Sequence, residues 1–328
     1  SVGMIVNGTL IADGTQGAIT FTSLRDDTVA GDSDANGSSV KPDVGQWAGI
    51  YLGLQAGASV LKFVNVRYGA GYNNGAGTAN VHGEVRYASV LVDGCNPVLD
   101  NVQIRDGWYD GLQMWGASPT VRNSMITTHG YSGIVTQLAS APTISGVTVA
   151  GNDTGIYTGN SNMTLVNSIV SANRLGINAG GTNNPVIRHS CVHTNRNANF
   201  TGIADPGTAN GNIQQNPLFQ NPTAGNYRLM NGSPCVDAGD DSVLTDGQLD
   251  LAGIARKQGT HVDMGAWEIP VAGAYSWSDV RDALRVAGGL LEPSPAQYTR
   301  LNVVSDSRVN LLDAVRLGRK VSGLEPNQ

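Results

Sequence analysis

The chain has 328 residues, 43 of them glycine, with 14% charged residues and a formal net charge of −6. That length holds an extended core plus a small second module. The acidic balance leaves no basic stripe to meet phosphates, which argues against nucleic acid as a partner. No apolar run reaches the ~18 residues a membrane-spanning helix needs, so no span is expected.

Residues 1–25 read as a first coil of short strands, Met4-Ile5-Val6 and Ile19-Thr20-Phe21-Thr22 around the turn Asn7-Gly8. Residues 26–46 interrupt it with Asp26, Asp27, Asp32, Asp34, Asn36 and Asp43 in one loop. Within it, Asp32-Ser33-Asp34-Ala35-Asn36-Gly37 matches the D-x-D-x-[DN]-G start of a calcium loop, with glycine at the sharp turn. Clustered carboxylates repel one another without a cation. A structural calcium held by Asp26, Asp27, Asp32, Asp34 and Asn36 is therefore expected to order this excursion; the bland alternative is a solvated acidic turn. The coil pattern resumes at Trp47–Ile50 and Val60–Val66, and residues 69–83, rich in Gly and Asn, read as a surface excursion.

From residue 96 the chain repeats itself. Asn96-Pro97, Ser118-Pro119, Ala141-Pro142, Asn162-Met163 and Asn184-Pro185 open five units, with steps 97→119 (22), 119→142 (23), 142→163 (21) and 163→185 (22). Each unit carries an apolar residue (Leu99, Val121, Ile144, Leu165, Ile187), then two positions on a turn residue (Asn101, Asn123, Gly146, Asn167, His189). Alternating apolar positions and a Gly-apolar step such as Gly111-Leu112 follow. A fixed period of this length, with alternating runs broken by Asn and Gly, predicts a solenoid of strands. Asn or Gly at the corner suits a left-handed backbone position. The pattern resembles the right-handed parallel β-helix of pectate-lyase-like proteins, a fold that carries lyases, hydrolases, adhesins and structural proteins alike.

Two outward features could carry chemistry. Loops of the early coils gather Asp106, Trp108, Tyr109, Asp110, Trp115, His129 and Tyr131, aromatic faces with carboxylates that suit a sugar-binding groove. Asp106 and Asp110 are the candidate acid/base pair for glycoside hydrolysis; ordinary loop packing is the alternative. The outward rows Gln113, Val135, Tyr157, Asn178 and Gln103, Met125, Thr148, Ile169, Cys191 hold no ladder of carboxylates or bases. The second is apolar for an outward face, which predicts cover by a loop or a partner. A third row starts Asp100, Arg122, an ion pair across coils. The three cysteines, Cys95, Cys191 and Cys235, leave at least one unpaired. Cys95 and Cys191 stand about four coils apart, ~19 Å at ~4.8 Å per coil, beyond disulfide reach, and all three read as packing residues.

Residues 201–268 contain Asn216-Pro217-Leu218-Phe219, Tyr227-Arg228-Leu229, Gly232-Ser233-Pro234, Asp250, Gly253, Arg256 and Asp263-Met264-Gly265-Ala266-Trp267-Glu268. This resembles the C-terminal region of secreted bacterial β-helix proteins with varied surface anchors. It is expected to continue and close the solenoid, making 1–268 one β-helical domain. In residues 269–328, Ser278–Leu290 lies on Leu312–Leu324 with an offset of 34, two short amphipathic helices closed by Gly. The pair resembles a degenerate dockerin. Its first calcium loop has lost its ligands; its second keeps Asn302, Asp306, Asn310 and Asp313 around Val304.

The resemblance implies an extracellular or cell-surface protein whose signal peptide has been removed. The fold class is all-β, a parallel β-helix with a small α-helical module. The expected function is non-catalytic and structural or adhesive. Contacts with a protein partner, or with a second copy, would use the helical module and the first coil, Met4–Thr22, and head-to-tail filaments would follow. The alternative is a carbohydrate-active enzyme or a glycan-binding protein using the 106–131 cluster.

Overall fold

A computed structural model describes residues 3–35, 37, 39–71, 79–81, 83–270, 277–290, 301 and 309–321. Its centre is a solenoid in which each coil gives one strand to each of three parallel sheets, of eight, seven and seven strands. The first sheet stacks Gly3–Val6, Gly49–Leu52, Ala88–Asp93, Asp110–Trp115, Ser132–Gln137, Thr154–Gly159, Leu175–Gly180 and Ala198–Thr201. The second runs from Ile11–Asp13 to Val186–Arg188, and the third from Ile19–Phe21 to Cys191–His193.

The repeat produces this stack because equivalent residues align in register. Ile50, Val90, Leu112, Ile134, Ile156 and Ile177 form one internal ladder. Leu61, Leu99, Val121, Ile144, Leu165 and Ile187 form a second, and Val66, Ile104, Ile126, Val149, Val170 and Val192 a third. All are buried. Each such side chain contributes roughly 1.5–3 kcal/mol relative to exposure, which a single coil could not realise alone. The corner between the second and third sheets is left-handed as expected, with φ of 56° at Asn101, 50° at Asn123, 61° at Gly146 and 50° at Asn167.

The corner after the third sheet holds a feature the sequence reading missed. Asn152, Asn173 and Asn195 stack as a ladder whose first two rungs are buried. Each Oδ1 accepts the backbone N–H one coil before it, from His129, Asn152 and Asn173 respectively, at 3.0–3.1 Å. Asn152 and Asn173 also donate through Nδ2 to the next rung at 3.0 Å. The ladder satisfies corner backbone groups that would otherwise be buried unpaired.

Residues 214–269 do not extend the stack. Ile213 bridges Cys191 as the last ladder contact. The chain then folds back along the outer wall of the third sheet as a strap. The apolar row Met125, Ile169 and Cys191 is buried there under Phe219, Tyr227, Leu229, Cys235, Met264 and Ala266. The strap is pinned by Gly265 N–H to Asn167 O (2.8 Å), Ala266 N–H to Thr148 Oγ1 (3.0 Å) and Asn101 Nδ2 to Leu249 O (2.8 Å). The expected cover is thus the chain's own. The expectation that this region continues and closes the solenoid is corrected: its apolar residues are buried against the outer wall of the third sheet.

Two helices, α1 (Trp277–Ala287) and α2 (Leu311–Val321), repeat at the expected offset, 277→311 and 287→321. Ala283, Ala314 and Leu317 are buried together with Leu301 and Val309. Of the second-loop candidates, Asn302 and Asp306 lie outside the described residues. Asn310 and Asp313 form a capping box at the start of α2: Leu312 N–H donates to Asn310 Oδ1 and Asn310 N–H to Asp313 Oδ2, each at 2.8 Å.

Candidate functional site

The outer face of the first sheet presents two columns of side chains in register. One runs Leu91, Gln113, Val135, Tyr157, Asn178; the other Asp93, Trp115, Gln137, Gly159, Gly180. A hairpin of Ala79–Val81 and Glu84–Arg86 leads into this face. The Arg86 guanidinium lies 3.6 Å over the Trp115 ring, and Ala88 and Leu91 pack against Tyr51 and Trp115.

Beyond Trp115 the face opens into a cleft of ≈ 540 Å³ whose lining includes Trp115, Gln137 and Tyr157, with Asn160 at one end and Gly159, Gly180 and Gly181 forming its floor. The tyrosine crowds two of these glycines. A Cβ at Gly159 would stand 3.2 Å from the Tyr157 ring, and one at Gly180 only 2.7 Å from its hydroxyl. The Gln137 side-chain carbonyl is buried with no hydrogen-bond partner among the described residues. An aromatic pair over a bare backbone floor, with amide groups at the side and no carboxylate in the lining, suits a flat polar ligand with apolar faces.

The seven residues expected to form one groove are divided among different settings. Trp115 belongs to the cleft just described. Tyr109 and Tyr131 stack at 3.9 Å with an interplanar angle of 10°, and Tyr87 stands 5.0 Å from Tyr109. Trp108 and Tyr131, each about half exposed, frame a second cleft of ≈ 460 Å³ with Val44 over Gly107, Gly130 and Gly151. His129 is a largely buried member of its lining, at the head of the asparagine ladder. Nδ1 faces Asn152 Oδ1 at 3.2 Å, and Nε2 lies 3.5 Å from Ser89 Oγ. Burial pulls its pKa down to about 4, which keeps the imidazole neutral near pH 7.

The two residues of the candidate acid/base pair have different partners. Asp106 pairs with Arg105 and accepts from Thr128 Oγ1 at 2.7 Å. Asp110 accepts from Ser132 N–H at 2.9 Å and from Gln113 Nε2 at 3.2 Å, and burial raises its pKa to about 6. The expected Asp100–Arg122 pair is present at 3.0 Å.

The acidic excursion sorts itself similarly. Asp27, Asp32 and Asp34 bring one carboxylate oxygen each within 4.8 Å of one another. Asp27 Oδ1 is buried without a partner among the described residues. Three hard oxygen donors fit a hard divalent cation. Asp26 is diverted: it accepts from Thr22 Oγ1 at 2.7 Å and pairs with Arg67 at 3.3 Å. Asn36 lies outside the described residues.

Residues 72–221 match the family model for the right handed beta helix region. The solenoid is a right-handed parallel β-helix. A solved structure, the crystal structure of pectate lyase Pel9A, aligns over 81% of this chain and 86% of that one, at 14% identity and a TM-score of 0.35. No curated protein matches the sequence. No helix among the described residues is long and apolar enough to cross a membrane.

Proposed function

We propose that this β-helix is an extracellular, non-catalytic glycan-binding protein whose first sheet holds an uncharged polysaccharide chain in the Trp115–Tyr157 cleft. The observation that carries this reading is the cleft itself, two aromatic side chains over a floor of glycines kept free of side chains. Sugar rings present apolar C–H faces to aromatic rings and hydroxyls to amides, and Gln137 and Asn160 supply the amides. The absence of a carboxylate or base from the lining favours binding over bond cleavage. This reading takes up the glycan-binding alternative of the sequence in place of the adhesive role through protein contacts.

Affinity electrophoresis through gels containing neutral glucans, xylan or mannan tests it. At least one should retard the protein, and Trp115→Ala or Tyr157→Ala, checked for fold by circular dichroism, should weaken retention about tenfold or more. The reading fails if no neutral glycan retards the chain. It also fails if reducing ends accumulate and disappear in Asp110→Asn.

We further propose that Asp27, Asp32 and Asp34 hold a structural calcium with the millimolar-range affinity usual for extracellular modules. Adding calcium to chelator-treated protein should raise the melting temperature by a few degrees, and Asp32→Asn/Asp34→Asn should abolish the rise. An equal rise in that variant would place the ion elsewhere.

A further inference from the structure

Coil spacing alone makes packing residues of all three cysteines, but the strap brings a second chain segment to Cys191. Cys191 opens a strand of the third sheet and points outward, its N–H bonded to Ser168 O at 2.8 Å. Cys235 sits in the strap. Its N–H donates to Ser233 Oγ at 3.1 Å, and its carbonyl accepts Met264 N–H at 2.9 Å. Both side chains are fully buried in the same cluster between wall and strap. The Cys191 thiol is near enough to perturb that of Cys235, and Cys191 Sγ donates to Gln215 O at 3.2 Å. Cys95 belongs to the solenoid interior, where its thiol faces Leu52 O at 3.5 Å.

We infer that Cys191 and Cys235 are a disulfide site, joined when the chain folds in an oxidising compartment, so that the strap is covalently fastened to the solenoid wall while Cys95 stays a free thiol. Two thiols buried in one cluster, on two hydrogen-bonded backbones, are placed to close to the ~2.05 Å of an S–S bond while the strap seats. The oxidant is a low-molecular-weight disulfide of the glutathione type. One cysteine thiolate attacks a glutathione sulfur and expels the first glutathione thiolate. The second cysteine thiolate then attacks the resulting mixed disulfide and expels the other. Two electrons pass to the glutathione disulfide, and the two cysteine protons end on the two glutathione thiols. In the closed structure, the nearby Cys191 thiol and then burial push the Cys235 thiol up, away from thiolate. Exchange therefore belongs to folding, before the strap seats. The bond would close a loop between positions 44 apart (235 − 191), long enough for appreciable stabilisation.

The full chain exported to an oxidising bacterial periplasm, alkylated under denaturing, non-reducing conditions and mapped by mass spectrometry decides the matter. The inference expects the Cys191 and Cys235 peptides linked and two hydrogens lighter, with Cys95 alkylated. In Cys235→Ser, Cys191 should be alkylated too. Reduction should lower the melting temperature of the wild type by roughly 5–10 °C and leave Cys191→Ser/Cys235→Ser unmoved. Alkylation of both Cys191 and Cys235 in the folded, exported wild type overturns the inference, as does any linkage through Cys95.

Discussion

Arg256 is the bulkiest fully buried side chain among the described residues, and it explains a motif that read only as a family marker. Its Nη1 lies 3.0 Å from Glu268 Oε1, and Nη2 donates to Asp263 O at 2.8 Å. Asp250 accepts from the backbone N–H groups of Ala252, Ile254 and Glu268 at 2.7–3.0 Å, and Asp263 from those of Asp237 and Ile269 at 2.8 and 2.7 Å. Three carboxyls thus share one guanidinium away from water. Burial pushes Glu268 up to about 9, against the pull of Arg256, and raises Asp250 and Asp263 as well. A carboxyl whose folded pKa is raised stabilises the fold most fully below its unfolded value and loses that contribution as pH climbs to the folded one. Between about pH 5 and 9 the folded chain holds a proton that the unfolded chain has released. Unfolding free energy should therefore fall with rising pH, by up to ~1.4 kcal/mol per unit for one proton. Urea titrations at a series of pH values measure this, and Glu268→Gln, which keeps an uncharged acceptor for Asp263 N–H, should flatten the slope. Parallel slopes for the two proteins would remove Glu268 as the cause. In the sequence, Asp and Arg at this density look like surface residues, because burial is set by the strap's position and not by spacing.

At the scale of elements, what recurs with the period was legible and what does not recur was hidden. The apolar ladders and the Asn101–Asn123–Gly146–Asn167 corner follow directly from the 21–23-residue steps. The asparagine ladder carries the same signal, 152→173→195, but in a chain rich in Asn it looks like composition until the hydrogen bonds of each rung are traced. The apolar row of Met125, Ile169 and Cys191 announced that something must cover it. Which segment covers it depends on contacts between residues as far apart as Asn101 and Leu249, for which no periodicity exists. The cleft had a weaker trace. Tyr157 stood in an outward row with Asn178, and Gly159 and Gly180 occupy equivalent places in neighbouring strands. Two glycines in register beside an aromatic residue are the mark of a cleared floor, a signal made of missing side chains, whereas the 106–131 loops are crowded with them.

For the whole molecule, the strap and the helical pair differ in what their removal would do. The strap covers one face of the core-bearing solenoid, and without it Met125, Ala150, Ile169 and Cys191 would line up as an exposed apolar stripe along the third sheet. Such a stripe beside parallel strands is an association surface. The helices α1 and α2 bury their apolar residues chiefly against one another, with Leu301 and Val309, so they have the makings of an independent unit. A chain ending after Ile269 should stay monodisperse in size-exclusion chromatography and melt within a degree or two of the full chain. A chain ending after Ile213 should aggregate or melt far lower, because it loses both the cover and the Arg256 cluster. The contrast tests the division at about residue 268. If the shorter chain were soluble and equally stable, the strap would be an ornament on a self-sufficient β-helix. If the 1–269 chain melted markedly lower, the helical pair would have to be part of the β-helix's own packing. Only the combination of a tolerant cut at 269 and an intolerant one at 213 fits a solenoid that is complete once its own chain has covered its apolar wall.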